Sequence, residues 1–404
     1  MDFISVSFWL STMASLSMLT SCSQLDTEPV IIGVLLDMPT PGGLPSKNAA
    51  ILATKEVNAK GGLKIGCGPS KKPPNLCRHR LVTLVFEDTN DTPTGAIAAM
   101  RRLISTQNLV AIIGPNVSRN AIAVANIAED NKTPMVSPGS THPETTFGKN
   151  FVFRASYTDP VQGFLLSGFA KKHLRIEKSA ILYDISRPTS RSVAQTFKQG
   201  FESQGGQITD FISYVTGETN FEVLLAQALD GQPEALLLPN PSSDTLIQAS
   251  ILKNISPNLI LLGTDSWSAS AIDKIDDMQG AYYTHHWHPS VAKLNAQNKK
   301  FVTRFEQEYG ETPATMAALT YDAFSILFSA IESGGTNSIA LRNALATTEF
   351  AHGVTGPISF SDGGNPQKDP MILTIKDQVS QTYPWSRQKQ PEDFPDSYQS
   401  WKDQ

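Results

Sequence analysis

Apolar runs of strand length alternate with segments of helical period along most of the chain. VIIGVLLDM (30–38) reads as a buried strand, and SKNAAILATKEVNAKGG (46–62) as an amphipathic helix stopped by two glycines. LVTLVFEDT (81–89) and LVAIIG (109–114) repeat the strand. TGAIAAMRRLISTQ (94–107) and SRNAIAVANIAED (118–130) repeat the helix, and TPMVSP (133–138) closes the series. After a break the rhythm resumes with FVFRAS (151–156), a helix near 161–173, SAILYD (179–184) and a helix near 192–204. ITDFISYV (208–215), FEVLLAQAL (221–229), EALLLP (234–239), TLIQASIL (245–252), NLILLGTD (258–265) and GAYYTHHW (280–287) complete the second series. This alternation predicts an α/β fold with parallel sheets covered by helices on both faces, in two units of similar build.

The end of the chain breaks the rhythm. Helical segments at 291–309 and 314–333 follow one another without a strand between them, and a short helix at 338–347 precedes strands at 358–360 and 371–376. Residues 379–404 are polar and contain several prolines, which predicts an extended or loosely attached segment.

Composition narrows the function classes. The chain has 404 residues, 40% of them hydrophobic and 18% charged, as a globular protein of two or three domains would. A net charge of −5 leaves no basic footprint for nucleic acid. Residues 1–22 stand apart: they are mostly apolar or small, short for a membrane span, and end in LTSC at 19–22. This resembles an export signal with a bacterial lipobox, in which Cys22 becomes the lipidated first residue; Asp2 stands where a basic residue is usual. Cys67 and Cys77 bracket a polar, proline-rich loop, so a disulfide between them is expected in an oxidising compartment. A metal site is the competing reading, and no second cysteine pair or spaced histidine pair accompanies it.

Four stretches together carry a resemblance: KEVNAKGGLKIG (55–66), IIGPNVSRNAIAVANIAEDNKTPMVSPGSTHPE (112–144), LLGTDSW (261–267) and HGVTGPISFSDGGNP (352–366). In order and spacing they resemble the leucine/isoleucine/valine-binding family, the type I periplasmic substrate-binding proteins of branched-chain amino-acid ABC transporters. The resemblance spans nearly all of residues 28–378. It implies two doubly wound parallel-sheet lobes joined by three hinge strands, with the ligand in the cleft between them. The first lobe would comprise 28–155 and 288–350, the second 156–287 and 355–378. It further implies an extracytoplasmic monomer, tethered by its lipid, without a cofactor, delivering an amino acid to permease subunits in the membrane. A sensor of the same fold for an amide, a urea or another small polar ligand is the alternative.

The residues agree with an amino-acid site. Ser118 begins a predicted helix, whose free N–H groups and positive dipole end suit a carboxylate. The loop SPGSTHP adds the hydroxyls of Ser140 and Thr141, and Gly139 allows close backbone approach. Asp265, at the end of its strand, would pair with an ammonium. The resemblance gives the matching residues these same roles. The alternative is that Ser118 caps its helix and Ser140 and Thr141 shape a turn. Family aromatics are missing at three places: 38–46, 240–244, and 185–192, where Pro188 or Thr189 falls near the expected tyrosine. Trp267 would restore one wall or pack within its lobe. Arg187 and Arg191 would meet an acidic or polar ligand group or remain solvated. In HHWH (285–288), His286 and His288 would share a strand face, but a metal needs three or four ligands and no carboxylate is close in sequence. No GxSxG, HExxH or CxxC occurs, so nothing assembles a nucleophile with its base, and a binding protein rather than an enzyme is expected.

Overall fold

The computed structural model of the protein describes residues 28–66, 78–293 and 296–384. Cys22, Cys67 and Cys77 lie outside the described residues, and with them the lipobox and the disulfide.

The first lobe is a wholly parallel five-stranded sheet. Its strands are β1 (Val30–Leu36), β2 (Val82–Asp88), β3 (Leu109–Ile113), β4 (Met135–Ser137) and β5 (Val152–Arg154), in the order β2-β1-β3-β4-β5. Three helices connect them: α1 (Gly43–Asn58), α2 (Pro93–Ile104) and α3 (Ser118–Asp130). The continuous apolar run of β1 is explained by burial on both faces. Val30, Ile32, Val34 and Leu36 pack in a core with Phe324, Leu327 and Ile331, while Leu35 points to the other face with Met100, Leu103 and Val124. Each such side chain contributes roughly 1.5–3 kcal/mol by leaving water, so a single charge on this strand would destabilise the lobe.

The second lobe contains α4 (Asp159–Gly168), β6 (Lys178–Asp184), α5 (Pro188–Ser203), β7 (Gln207–Tyr214), α6 (Glu222–Leu229), β8 (Ala235–Leu238), α7 (Ser242–Ile255), β9 (Ile260–Gly263) and β10 (Tyr282–His285). The chain then returns to the first lobe with α8 (Ala296–Tyr309), α9 (Thr315–Gly334), α10 (Ser338–Ala346) and β11 (Ile358–Asp362), and ends with β12 (Met371–Lys376) and β13 (Val379–Thr382). The second sheet runs β13-β12-β10-β9-β8-β6-β7, parallel except for β12 and β13.

Two boundaries differ from the sequence expectation. Ile358 packs in the first core, and the Gly364 carbonyl accepts the Arg154 N–H at 3.0 Å, so 358–366 belong with the first lobe. The segment read as a polar tail begins with the edge strand β13. Its Ser380 is buried against Tyr283 Oη at 2.5 Å and also reaches Asp273, which the polar composition does not reveal.

The chain therefore passes between lobes near 155–158, 286–288 and 367–370. Lys368 ties the third passage to the first by donating to the Ala155 carbonyl at 3.1 Å. Each sheet has a point where the strand order reverses, between β1 and β3 and between β6 and β8, and open α/β sheets leave a crevice there.

Candidate functional site

Both crevices open onto one cavity of about 710 Å³ between the lobes, within the range of small-molecule sites. From the first lobe it is lined by the loop after β1, the start of α3, Gly139, Thr141 and Met316; from the second by 187–190, Pro239, 241–243 and 265–270.

The start of α3 is positioned by Asp37, at the end of β1. Its carboxylate accepts the N–H groups of Asn116 at 2.8 Å and Val117 at 2.9 Å, the Thr89 hydroxyl at 2.5 Å, and Asn120 Nδ2 at 2.8 Å. Burial pushes the Asp37 carboxyl up, against these four donors. Asp37 thus occupies two donors at the helix entrance, and the next two, Ser118 N–H and Arg119 N–H, make no hydrogen bond among the described residues. These two face a cavity wall with the helix dipole behind them.

Ser118 Oγ organises the loop after β4. It accepts Thr141 N–H at 3.2 Å and His142 N–H at 3.3 Å, and is bonded by Ser140 Oγ at 3.1 Å and, from the second lobe, by Thr189 Oγ1 at 3.0 Å. Ser118 and Thr141 line the cavity. Ser140, expected beside them, is not among the lining residues. Its hydroxyl is fully buried between Ser118 and Thr145, because the loop turns its side chain inward toward its own bonds. The loop is held from beneath by Arg154 of β5, fully buried, which donates to the carbonyls of Ser140 at 2.7 Å and His142 at 2.9 Å and to Thr146 Oγ1 at 2.9 Å. Burial lowers the Arg154 pKa to about 10, which leaves the guanidinium charged.

On the opposite wall Asp265 follows β9. Its Oδ2 meets His286 Nε2 at 3.0 Å, and its Oδ1 is buried without a partner. Burial pushes the Asp265 carboxyl up, but the hydrogen bond and charge of His286 outweigh it and hold the group below the ordinary carboxylate range. Burial also keeps His286 itself below its ordinary value. In this contact the imidazole Nε2–H donates to the carboxylate, with the ring stacked on Tyr157 at 3.8 Å. A second carboxyl, Asp159, is wholly buried nearby. Burial raises it well above its ordinary value; the Thr141 and Ser192 hydroxyls lie near enough to oppose this, yet neither closes a hydrogen bond of normal geometry. Burial thus disfavours a charge on Asp159, while His286 favours one on Asp265.

The remaining candidates divide. Pro188, at the first turn of α5, lines the cavity with Thr189. Trp267 borders the cavity, but its side chain is packed into the lobe. It is fully buried, its Nε1 donates to the Leu238 carbonyl at 3.1 Å, and its ring covers Gly263, where an added Cβ would meet it at 2.3 Å. Packing within the lobe, one of the two readings of its sequence, accounts for it. Arg187 lines the cavity but is paired with Asp184 at 3.2 Å, and Arg191 is exposed. Among the described residues no three histidine, cysteine or acidic side chains are grouped to hold an ion, around His286 and His288 or elsewhere. The carboxylate missing near HHWH in sequence arrives in space as Asp265.

In place of aromatic walls the cavity has prolines, among them Pro39, Pro41, Pro188, Pro239, Pro241 and Pro313, with Met316 seated against Gly42 and Gly139. Sequence reasoning missed Asp37, Arg154, Asp159, His285 and Met316. For Asp37 the available signal was an acid at the carboxyl end of the first strand; for Arg154 it was a charge within an apolar strand.

Residues 29–379 match the family described as periplasmic binding protein. The leucine-specific-binding protein of Salmonella typhimurium is 26% identical over 203 residues, 50% of this chain and 51% of that one, so the chain spans about half the length of that relative. The crystal structure of a leucine-binding protein from Thermotoga maritima superposes with a TM-score of 0.77 at 27% identity, covering 88% of this chain and 97% of that one. A solute-binding protein of an ABC transporter from R. palustris, solved with benzoate, has the same fold, with a TM-score of 0.74 at 21% identity over 88% and 95% of the two chains. Among the described residues no helix is long and apolar enough to cross a membrane.

Proposed function

Because the chain belongs to the periplasmic binding protein family, we propose that it is the extracytoplasmic substrate-binding protein of an ABC importer and that its ligand is an amino acid of branched-chain type or a close relative. The observation that carries this is the opposed chemistry of the two walls. Unused N–H groups at the start of α3, with Thr141, face one side, and an ionised carboxylate with an unpaired oxygen faces the other. A zwitterion fits that polarity: its carboxylate goes to the helix entrance and its ammonium to Asp265. Holding the two ends from different lobes would draw the lobes together, because the ligand then favours the closed arrangement over the open one. The apolar side chain would lie against Pro188, the other prolines and Met316. In this reading the protein is a monomer held at the outer face of the membrane by lipid on Cys22, stapled by a Cys67–Cys77 disulfide, and unloaded by permease subunits.

A second reading is a binding or sensing protein for an amide, a urea or another small polar ligand. It is favoured by the scarcity of aromatic surface in the cavity, where Trp267 is on the border but fully buried. A thermal-shift panel of amino acids, amides, ureas and aromatic carboxylates separates the two, since a ligand bound only by the folded state raises the melting temperature. Stabilisation by leucine, isoleucine or valine supports the proposal. Stabilisation by benzoate or by an amide, with none from any amino acid, replaces it.

A further inference from the structure

His285 ends β10, is 5% exposed, and lines the same cavity as Asp265. Its hydrogen bonds identify its tautomer. Thr315 Oγ1 has a single hydrogen, and it donates that hydrogen to the Trp287 carbonyl at 2.9 Å. With that hydrogen on the Trp287 carbonyl, the contact of 2.9 Å between Thr315 Oγ1 and His285 Nε2 runs from Nε2–H to the hydroxyl oxygen. A neutral imidazole protonated at Nε2 has a bare lone pair at Nδ1, and His285 Nδ1 is buried without a partner. The unpaired Oδ1 of Asp265 lies on the same stretch of wall, close enough for each group to feel the other's charge. Two buried acceptors in one cavity are costly unless a donor reaches them. The cationic side chains that line the cavity do not supply it: Arg119 is paired with Asp91 and Arg187 with Asp184. Gln162 Nε2, itself buried without a partner, is the protein donor near the Asp265 carboxylate, and the wall's remaining acceptor capacity, His285 Nδ1 above all, is left to N–H groups on a small ligand.

We propose that His285 is a second receptor for the ligand's amino group, taking one N–H on its bare Nδ1 while Asp265 Oδ1 takes another. The site thereby selects an unsubstituted primary amine over hydroxy-acid and simple carboxylate analogues, which bring too few N–H donors. This rests on the reading that the ligand bears an amino group near Asp265. Burial supports the neutral imidazole, lowering the His285 pKa to about 3.

Two substitutions separate the acceptor from the scaffold. His285→Gln keeps a nitrogen able to donate to Thr315 but has nothing at the Nδ1 position, whereas His285→Asn places an amide oxygen near it. Calorimetric titration with leucine should weaken about tenfold or more in His285→Gln and stay within about threefold of wild type in His285→Asn, the scale of one hydrogen bond to a charged group. Equal leucine affinity in wild type and His285→Gln overturns the inference and leaves the amino-acid reading standing. If wild type ignores leucine yet binds leucinamide, and His285→Gln loses that binding, the amino-acid reading fails and the inference stands. Binding of benzoate or 2-hydroxy-4-methylpentanoate, unchanged in His285→Gln, overturns both. Nitrogen-15 NMR of the wild-type imidazole gives an independent measurement: a bare Nδ1 whose resonance moves on addition of leucine is expected, and an Nδ1 already carrying hydrogen refutes the assignment.

Discussion

The two walls of the cavity are built on opposite plans. On the first-lobe wall the Ser118 hydroxyl is committed: Ser118 Oγ takes two backbone N–H groups and two further hydroxyls, and Arg154 fixes the loop beneath. On the second-lobe wall the polar atoms are left uncommitted, with Asp265 Oδ1 and His285 Nδ1 buried and unpaired. The first wall thus has its loop fixed before a ligand arrives, and what it leaves open are donors: the N–H groups of Ser118 and Arg119 and the Thr141 hydroxyl. The second carries the electrostatic deficit, because a buried charge with an open lone pair gains most from a partner. A ligand held between them would take its orientation from the first wall and most of its affinity from the second.

Removing the carboxylate is the strongest way to break this asymmetry. Asp265→Ala should weaken binding of a confirmed amino-acid ligand by roughly 2–5 kcal/mol, the scale for deleting one member of a buried charge pair. Titration showing wild-type affinity would end the ammonium assignment. Thr141→Val keeps the shape of the first wall and deletes one hydroxyl, so its cost should be smaller, about 1–3 kcal/mol. If Thr141→Val proves more damaging than Asp265→Ala, the two walls have been given the wrong weights. Thr189→Val removes the one side-chain hydrogen bond described from α5 to Ser118, at 3.0 Å. It should cost only about 0.5–1.5 kcal/mol of binding, read as faster dissociation in stopped flow with little change in association. An unaltered dissociation rate would show that this contact does not hold the lobes together.

The smallest effect near neutrality is on stability. Burial lowers His142, in the first-wall loop, and His285, beside the second wall, from 6.5 to about 3. Both stay neutral in the folded protein while the unfolded chain takes up protons. The stability is therefore complete above about pH 6.5 and is lost progressively as pH falls toward about 3. His142→Asn should flatten that acid limb in melting curves while leaving the neutral value nearly unchanged, and an equally steep limb in the variant would place the proton uptake elsewhere.

The alternation of strands and helices was legible because the central strands of both sheets, such as 30–36, 109–113, 235–238 and 260–263, are covered on two faces and read as apolar runs. The order of motifs around 112–144 and 261–267 was enough to bring Ser118, Thr141 and Asp265 to one cavity. What was not legible depended on side-chain direction or on partners distant in sequence. Ser140 and Thr141 look equivalent as neighbouring hydroxyls, but one turns into the loop and the other toward the cavity. Trp267 sits two residues from Asp265, yet Gly263 gives its ring a place in the core. HHWH suggested a metal because its true partner, Asp265, is 21 positions away. The polarity of 379–384 concealed a strand, since a single buried serine and the flanking Tyr383 attach it.

The prolines around the cavity give binding a thermodynamic signature of its own. A pyrrolidine ring has almost no rotamer freedom to lose, so apolar wall of this kind is ordered at little entropic cost when a ligand is enclosed. It also presents no backbone N–H to a hydrocarbon chain, and thus makes no polar demand on the ligand's apolar end. Recognition of that end is then a matter of volume alone. Across a series of ligands with identical charged ends and lengthening aliphatic chains, the heat-capacity change should grow more negative with each buried methylene.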